Sequence, residues 1–157
     1  LIINTNRLKV IACTPEFLST ISPESYEIGD HVREHVAELQ NDATQLGWGV
    51  WFVMDKETNS IVGDIGFKGK PSSDLTVEIG YGIISAAQKK GYATEAVGAL
   101  IEWAFATGKV KKIIAECLHD NLASIKVLER LGMKKNGQEG DLMQWEMSEV
   151  NGEPNKK

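Results

Sequence analysis

One stretch constrains this chain more than any other. A β-type run from Thr76 to Ile84 leads into a polar turn, Gln88-Lys89-Lys90-Gly91-Tyr92-Ala93, and a helical pattern starts straight after it. Ala93, Ala96, Val97, Leu100, Ile101, Ala104 and Phe105 recur at three- and four-residue steps, which predicts one buried helix face over 93–106. A strand, a glycine-bearing turn and a helix start together build an anion site. The first turn of a helix has unpaired N–H groups and a partial positive charge, and small residues such as Gly91 and Ala93 let a phosphate approach the backbone. Lys89 and Lys90 add full positive charge at the same spot.

The kind of phosphate ligand can be narrowed. The nucleotide P-loop string Gly-x-x-x-x-Gly-Lys-Ser/Thr is absent. Gly80-Tyr81-Gly82 lies inside the predicted strand, so it is not the dinucleotide fingerprint, which follows a strand. What fits is Gln/Arg-x-x-Gly-x-Gly/Ala, filled by Gln88, Gly91 and Ala93. That turn resembles the pyrophosphate-binding motif of the GNAT acyl-CoA N-acyltransferases. About thirty residues on, Ala115 to Met133 resembles the second hallmark of the same superfamily: a strand, Asn121, Ser124 three residues later, a helix, then Leu131-Gly132-Met133. Upstream, Val62-Gly63-Asp64-Ile65-Gly66-Phe67 followed by Glu78-Ile79-Gly80-Tyr81 resembles the branch related to the ribosomal-protein alanine N-acetyltransferases. The resemblance runs from about Asn6 to Met147.

The rest of the chain reads as one domain over 1–150 with a polar, frayed tail over 151–157. Leu8 to Ala12 is a first strand. Thr14-Pro15-Glu16 starts a helix with a capping hydroxyl, proline at the first helical position and an acid in the first turn. A second short helix is expected over Pro23 to Ile28, and Asp30 is read as the cap of a third with Val32, Val36 and Leu39 on one face. Trp48 to Met54 and Ile61 to Phe67 form a hairpin around Asp55 to Ser60. A strand over 113–117, a helix over 122–131, a turn from Gly137 to Asp141 and a strand over Leu142 to Met147 complete the pattern, with Gly108 and Gly132 as helix stops. The class is α+β (mixed α/β). The resemblance implies the GNAT-type fold: a twisted mixed sheet of six to seven strands, splayed between strands 4 and 5, flanked by about four helices, with acyl-CoA in the cleft.

The resemblance also implies roles. Gln88, Lys89, Lys90, Gly91, Tyr92, Ala93 and Thr94 would hold the pyrophosphate, through main-chain N–H groups with side chains helping mainly at Gln88, Lys89 and Lys90. Ile83 and Ile84 would offer backbone groups to pantetheine. Asn121 and Ser124 would lie beside the cofactor, although Asn121 followed by Ser124 is equally a helix cap. Many relatives have a tyrosine in the second helix that protonates the thiolate, and Leu128 stands at that position, so Ser124, a water or Tyr81 would substitute. Glu78 shares a strand face with Gly80 and Gly82. It is either a base or amine-binding carboxylate or a salt-bridge partner, because an acid in an apolar strand must be solvated or paired.

Composition bounds the remaining choices. A 157-residue chain with 42% hydrophobic and 25% charged residues can bury a core, and a net charge of −5 argues against a general nucleic-acid footprint. Cys13 and Cys117 do not make a disulfide framework, and no apolar run suits a membrane span or a signal peptide, so the expected compartment is cytoplasmic. His31 and His35 lack further ligands for a metal and are read as a solvated helix face that could border substrate. Trp48, Trp51 and Phe52 are read as core residues, one of which could floor the acceptor pocket. The expected activity is transfer of acetyl from acetyl-CoA, without a metal, to a primary amine such as a protein N-terminus or a small molecule, by direct attack in a ternary complex. The alternative is a non-catalytic acyl-CoA sensor. The partners are acetyl-CoA and the amine; the family's frequent dimers leave a homodimer open.

Overall fold

The computed structural model describes residues 1–83 and 90–149. The elements are β1 (Ile2–Asn4), β2 (Leu8–Ala12), α1 (Pro15–Leu18), α2 (Asp30–Asn41), a 3-10 turn (Ala43–Gln45), β3 (Val50–Asp55), β4 (Ile61–Phe67), β5 (Thr76–Ile83), α3 (Tyr92–Ala106), β6 (Lys112–Leu118), α4 (Leu122–Arg130), β7 (Lys134–Glu139) and β8 (Leu142–Ser148). The strands form an eight-stranded mixed sheet in the order β1-β2-β3-β4-β5-β6-β8-β7. Among the described residues only β5 and β6 run parallel.

That parallel pair carries the most important feature of the fold. β5 pairs with β6 only at Thr76, Val77 and Glu78, whereas its ladder with β4 continues to Ile83. Past Glu78 the two parallel strands separate. The split is the expected one, between the strands at 76–84 and 113–117; the added β1 shifts the count by one. Strands β1 and β7 are the two that sequence patterning missed. β1 has only three residues. β7 reads Lys-Lys-Asn-Gly-Gln-Glu and is exposed along most of its length, so backbone pairing to β8 makes it a strand, not a side-chain pattern. The expected turn over 137–141 therefore shrinks to Gly140 and Asp141.

Two cores lie on opposite faces of the sheet. The larger joins α3 to the strands, and Ala96, Val97, Leu100 and Ala104 are fully buried there with Trp51 and Ile113. The smaller packs Phe17, Ile21, Tyr26, Ile28 and Val36 onto Cys13, Val32, Val50, Phe52 and Ile61. It explains why Pro23 to Ile28 is not a helix. One turn closes on the Ser22 carbonyl, and the chain then opens so that Tyr26 meets Phe52 edge-on, with ring centroids 6.3 Å apart. α2 starts one residue earlier than expected: Gly29 is the N-cap and Asp30 is already helical. Gly108 and Gly132 follow the caps of α3 and α4 with φ of 74° and 89°, the left-handed stop that glycine allows. Both cysteines are buried and unpaired, and burial, helped by Asp64, pushes the Cys13 thiol up to about 11. Among the described residues no helix is long and apolar enough to cross a membrane.

Candidate active site

The site begins at the start of α3. Gly91 takes φ 79°, ψ 9° and caps the helix without any side-chain hydrogen bond, so the N–H groups of the first turn have no side-chain partner among the described residues. The N-terminal turn holds this end in place. Arg7 donates from Nη1 to the Lys90 carbonyl at 2.7 Å, pairs with Glu95 at 2.7 Å, and lies 4.5 Å above the Tyr92 ring. Thr5 and the Arg7 backbone N–H also donate to Glu95, at 2.5 and 2.8 Å. Burial alone would raise the Glu95 carboxyl; these hydrogen bonds and the Arg7 charge bring it below its ordinary value. Tyr92 turns its ring inward and donates to Asp55 at 2.8 Å, which leaves only its main chain for a ligand. The Thr94 hydroxyl is buried and has no partner among the described residues. Ile84, Gln88 and Lys89 lie outside the described residues; Ile83 pairs through its backbone with Gly63.

The second arm is the start of α4. Asn121 caps it, with Oδ1 accepting from the Ser124 N–H at 3.1 Å. Leu128 is 1% exposed and belongs to the core. Tyr81 crosses the split from β5 and donates its hydroxyl to the Ser124 carbonyl at 3.4 Å. Burial raises the Tyr81 phenol above its ordinary value, against the opposing effect of that contact, so it keeps its proton at neutral pH. β5 and β6 are parallel and each is followed by a helix, so both helix starts lie at the end where the strands part.

A cleft of about 1010 Å³ opens between α2 and the strands β3, β4 and β5. Its floor is bare because Gly66, Gly80 and Gly82 share one face, set by the pairs Gly66 with Gly80 and Asp64 with Gly82. Asp64 stands on that floor and is clamped: Tyr26 donates to Oδ2 at 2.5 Å, and His31 Nε2 meets Oδ1 at 2.7 Å. Burial and the Asp64 hydrogen bond raise the Tyr26 phenol. Glu78 lies on the same face, farther down β5, and pairs with Lys68 at 2.8 Å. His35 corrects the expectation of a solvated face. It is 4% exposed and packs so closely on Gly49 that a Cβ there would sit 2.0 Å from its Nδ1. Its Nε2 has no hydrogen-bond partner among the described residues, and burial lowers its imidazole below the ordinary value although Glu38 opposes this. Trp48, Trp51 and Phe52 are buried, and Trp48 also lines the cleft. Among the described residues no group of three or more His, Cys, Asp or Glu side chains could hold a metal ion.

With this geometry in place, comparison with known proteins is decisive. The family profile described as Acetyltransferase (GNAT) domain matches residues 5–134. The chain belongs to the GNAT acetyltransferase family. The match spans the turn before α3, both helix starts and the cleft. The chain is 37% identical over 107 residues to the uncharacterized N-acetyltransferase YjdG of Bacillus subtilis (strain 168), covering 68% of this chain and 63% of that protein. It thus spans less than two thirds of the length of this curated relative. In fold it is similar to the ribosomal-protein-S5-alanine acetyltransferase from Vibrio fischeri, with a TM-score of 0.75, 19% identity, and coverage of 96% and 98% of the two chains. RimL, the ribosomal L7/L12 alpha-N-protein acetyltransferase in complex with coenzyme A, gives a TM-score of 0.74 at 17% identity, with coverage of 94% and 98%.

Within this GNAT domain, the structure brings Tyr81 onto Ser124, whose N–H bonds Asn121, and sets Glu78 on the strand face of Gly80 but outside the residues that line the cleft. Sequence reasoning missed Asp64, Tyr26, Glu34 and Glu38 as cleft residues. Two signals were available: the helical spacing of His31, Glu34, His35 and Glu38, and glycine at alternate strand positions 80 and 82 with a third at 66.

Proposed function

We propose that the chain is an N-acetyltransferase that moves acetyl from acetyl-CoA to a primary amine by direct attack in a ternary complex. The observation that carries this reading is the parting of β5 and β6 beyond Glu78, with α3 and α4 beginning where they part. Ligands of parallel strands bind beyond their carboxyl ends, and anions favour helix N-termini. The residues present fit acyl-CoA. The left-handed Gly91, a start of α3 that has no side-chain cap bond and a Thr94 hydroxyl without a partner among the described residues favour a pyrophosphate held by the main chain of Gly91 to Thr94. Lys90 adds charge, with Gln88 and Lys89 proposed beside it, and Asn121 would use the amide nitrogen its cap leaves unused.

Acetyl-CoA, when bound, supplies a thioester carbonyl. The chain's own groups then orient the neutral amine in the cleft over Gly80 and Gly82 and meet the developing oxyanion with backbone N–H near Ile83. A C–N bond forms as the C–S bond breaks. The amine proton leaves through Glu78, directly or by a water, and Tyr81 gives its proton to the departing thiolate. Tyr81 takes this role because Leu128 cannot and because the phenol lies against Ser124. Such a site would act in the cytoplasm, where acetyl-CoA is made. The test is thiol release from acetyl-CoA across a panel of amines and short peptides. Turnover with at least one amine is expected; coenzyme A binding without turnover on any amine would instead establish a sensor.

A further inference from the structure

The cleft also says what kind of amine it takes. His31, Glu34, His35 and Glu38 fall at steps of three, one and three along α2, so one face of the helix forms the wall opposite the glycine floor. Among the described residues, that wall and floor present three carboxylates, Glu34, Glu38 and Asp64, against the single lysine Lys68, which is already paired with Glu78. Glu34 and Glu38 are exposed at the rim and form no ion pair among the described residues. Deeper in the same cleft His35 is buried, with Nε2 unpartnered among the described residues. A buried polar atom without a partner is costly, so this nitrogen calls for a polar group from an occupant. An anionic occupant would meet three like charges. A purely apolar one would bury those carboxylates and leave Nε2 unsatisfied.

Resting on the acetyltransferase reading above, the geometry points to a small oligoamine as acceptor: one amino group presented over Gly80 and Gly82, between Glu78 and Asp64, a second, charged one held at Glu34 and Glu38, and an N–H given to His35 Nε2. Tyr26 and His31 fix the orientation of Asp64, so its carboxylate meets the reacting end in a set position. Glu34 and Glu38 lie one helical turn apart, about 6 Å along the axis, which suits charges separated by short methylene spacers. Those spacers would pack on Trp48 and Phe67, the apolar part of the lining. A cleft of about 1010 Å³ also matches the upper range of small-molecule sites rather than a groove for a long polypeptide. Burial keeps His35 neutral, able to accept that hydrogen bond.

The experiment compares spermidine and 1,4-diaminobutane with butylamine and with a neutral peptide bearing a free α-amine, by thiol release and by calorimetric binding in the presence of coenzyme A. The oligoamines are expected to show kcat/KM at least about tenfold above butylamine, and added salt should reduce the gap. In the double variant Glu34→Gln/Glu38→Gln that selectivity should fall about tenfold, mainly through KM. Butylamine or the peptide matching the oligoamines would overturn the inference and leave the acetyltransferase reading intact. If no amine is acetylated, that reading fails. Calorimetry then decides the inference alone: oligoamine binding weakened in the double variant upholds it, and no binding overturns it.

Discussion

At the scale of single residues, Glu78 and His35 are ionisable groups set among apolar neighbours, and each is held differently. Glu78 is tied to Lys68, so the catalytic use proposed for it would share one side chain with a structural pairing. Glu78→Gln keeps its shape while removing charge and basicity. The turnover number should fall about a hundredfold, the usual scale for losing a general base, and recover in part at higher pH, where more of the amine is already neutral. Wild-type turnover at every pH, with lowered stability alone, would reduce Glu78 to an ion-pair partner. His35 gives a pH signature in stability. Its native pKa is depressed below 6.5 by burial, so between 6.5 and the native value the unfolded chain binds more protons than the folded one. Stability should therefore be unaffected by this group above that window and decline as pH falls through it. His35→Gln should remove that part of the decline, read from urea midpoints at pH 7 and pH 5; equal declines in both proteins would count against the buried neutral imidazole.

Among the elements, α3 depends on a segment nearly ninety residues away in sequence. Its first turn is fixed by Glu95, which receives Thr5, the Arg7 backbone and the Arg7 side chain at 2.5, 2.8 and 2.7 Å. Arg7 in turn holds the Lys90 carbonyl, so the turn that would cradle the pyrophosphate is steadied from the β1–β2 connection. Glu95→Gln weakens these charge-assisted bonds and should cost about 2 kcal/mol of stability. It should also weaken coenzyme A binding several-fold without any contact to the ligand. Thermal melting and calorimetric titration would measure both, and unchanged affinity would show that the turn keeps its shape without this clamp.

The whole molecule is two packed half-sheets joined at three residue pairs, Thr76 with Lys112, Val77 with Ile113 and Glu78 with Ile114. A ligand lodged beyond that joint would bridge β5 and α3 to β6 and α4. Coenzyme A at about one hundred times its Kd should add about 2.7 kcal/mol, raising Tm by roughly 5–10 °C for a domain of this length. Gly91→Val places a branched side chain at a positive φ, where Arg7 Nη2 already lies 3.3 Å from a Cβ. The variant should melt lower yet fold, and it should lose most of the coenzyme-dependent shift, with affinity down at least tenfold. A full shift in folded Gly91→Val would place the pyrophosphate elsewhere.

The amino-acid sequence by itself determined the parts whose signals are local. The faces of α3, the Thr14 and Asn121 caps, the glycine stops and the strand–turn–helix order at 76–106 all arise between residues within a few positions of one another, where steric preference and periodicity act directly. Tertiary structure decided the rest. β7 is a strand because β8 pairs with its backbone, although its side chains carry no alternation. Tyr26 lies in an open loop because Phe52 and Asp64 draw it across the sheet, outweighing the short helix its own segment suggests. The same long-range packing put His35 under cover against Gly49 and assembled Asp64, His31 and Glu34 around one cleft. The α2 residues lie more than a dozen positions from Gly49 and Asp64, which belong to other parts of the chain. Their proximity comes from strand register and from how α2 lies on the sheet, and no local pattern encodes either.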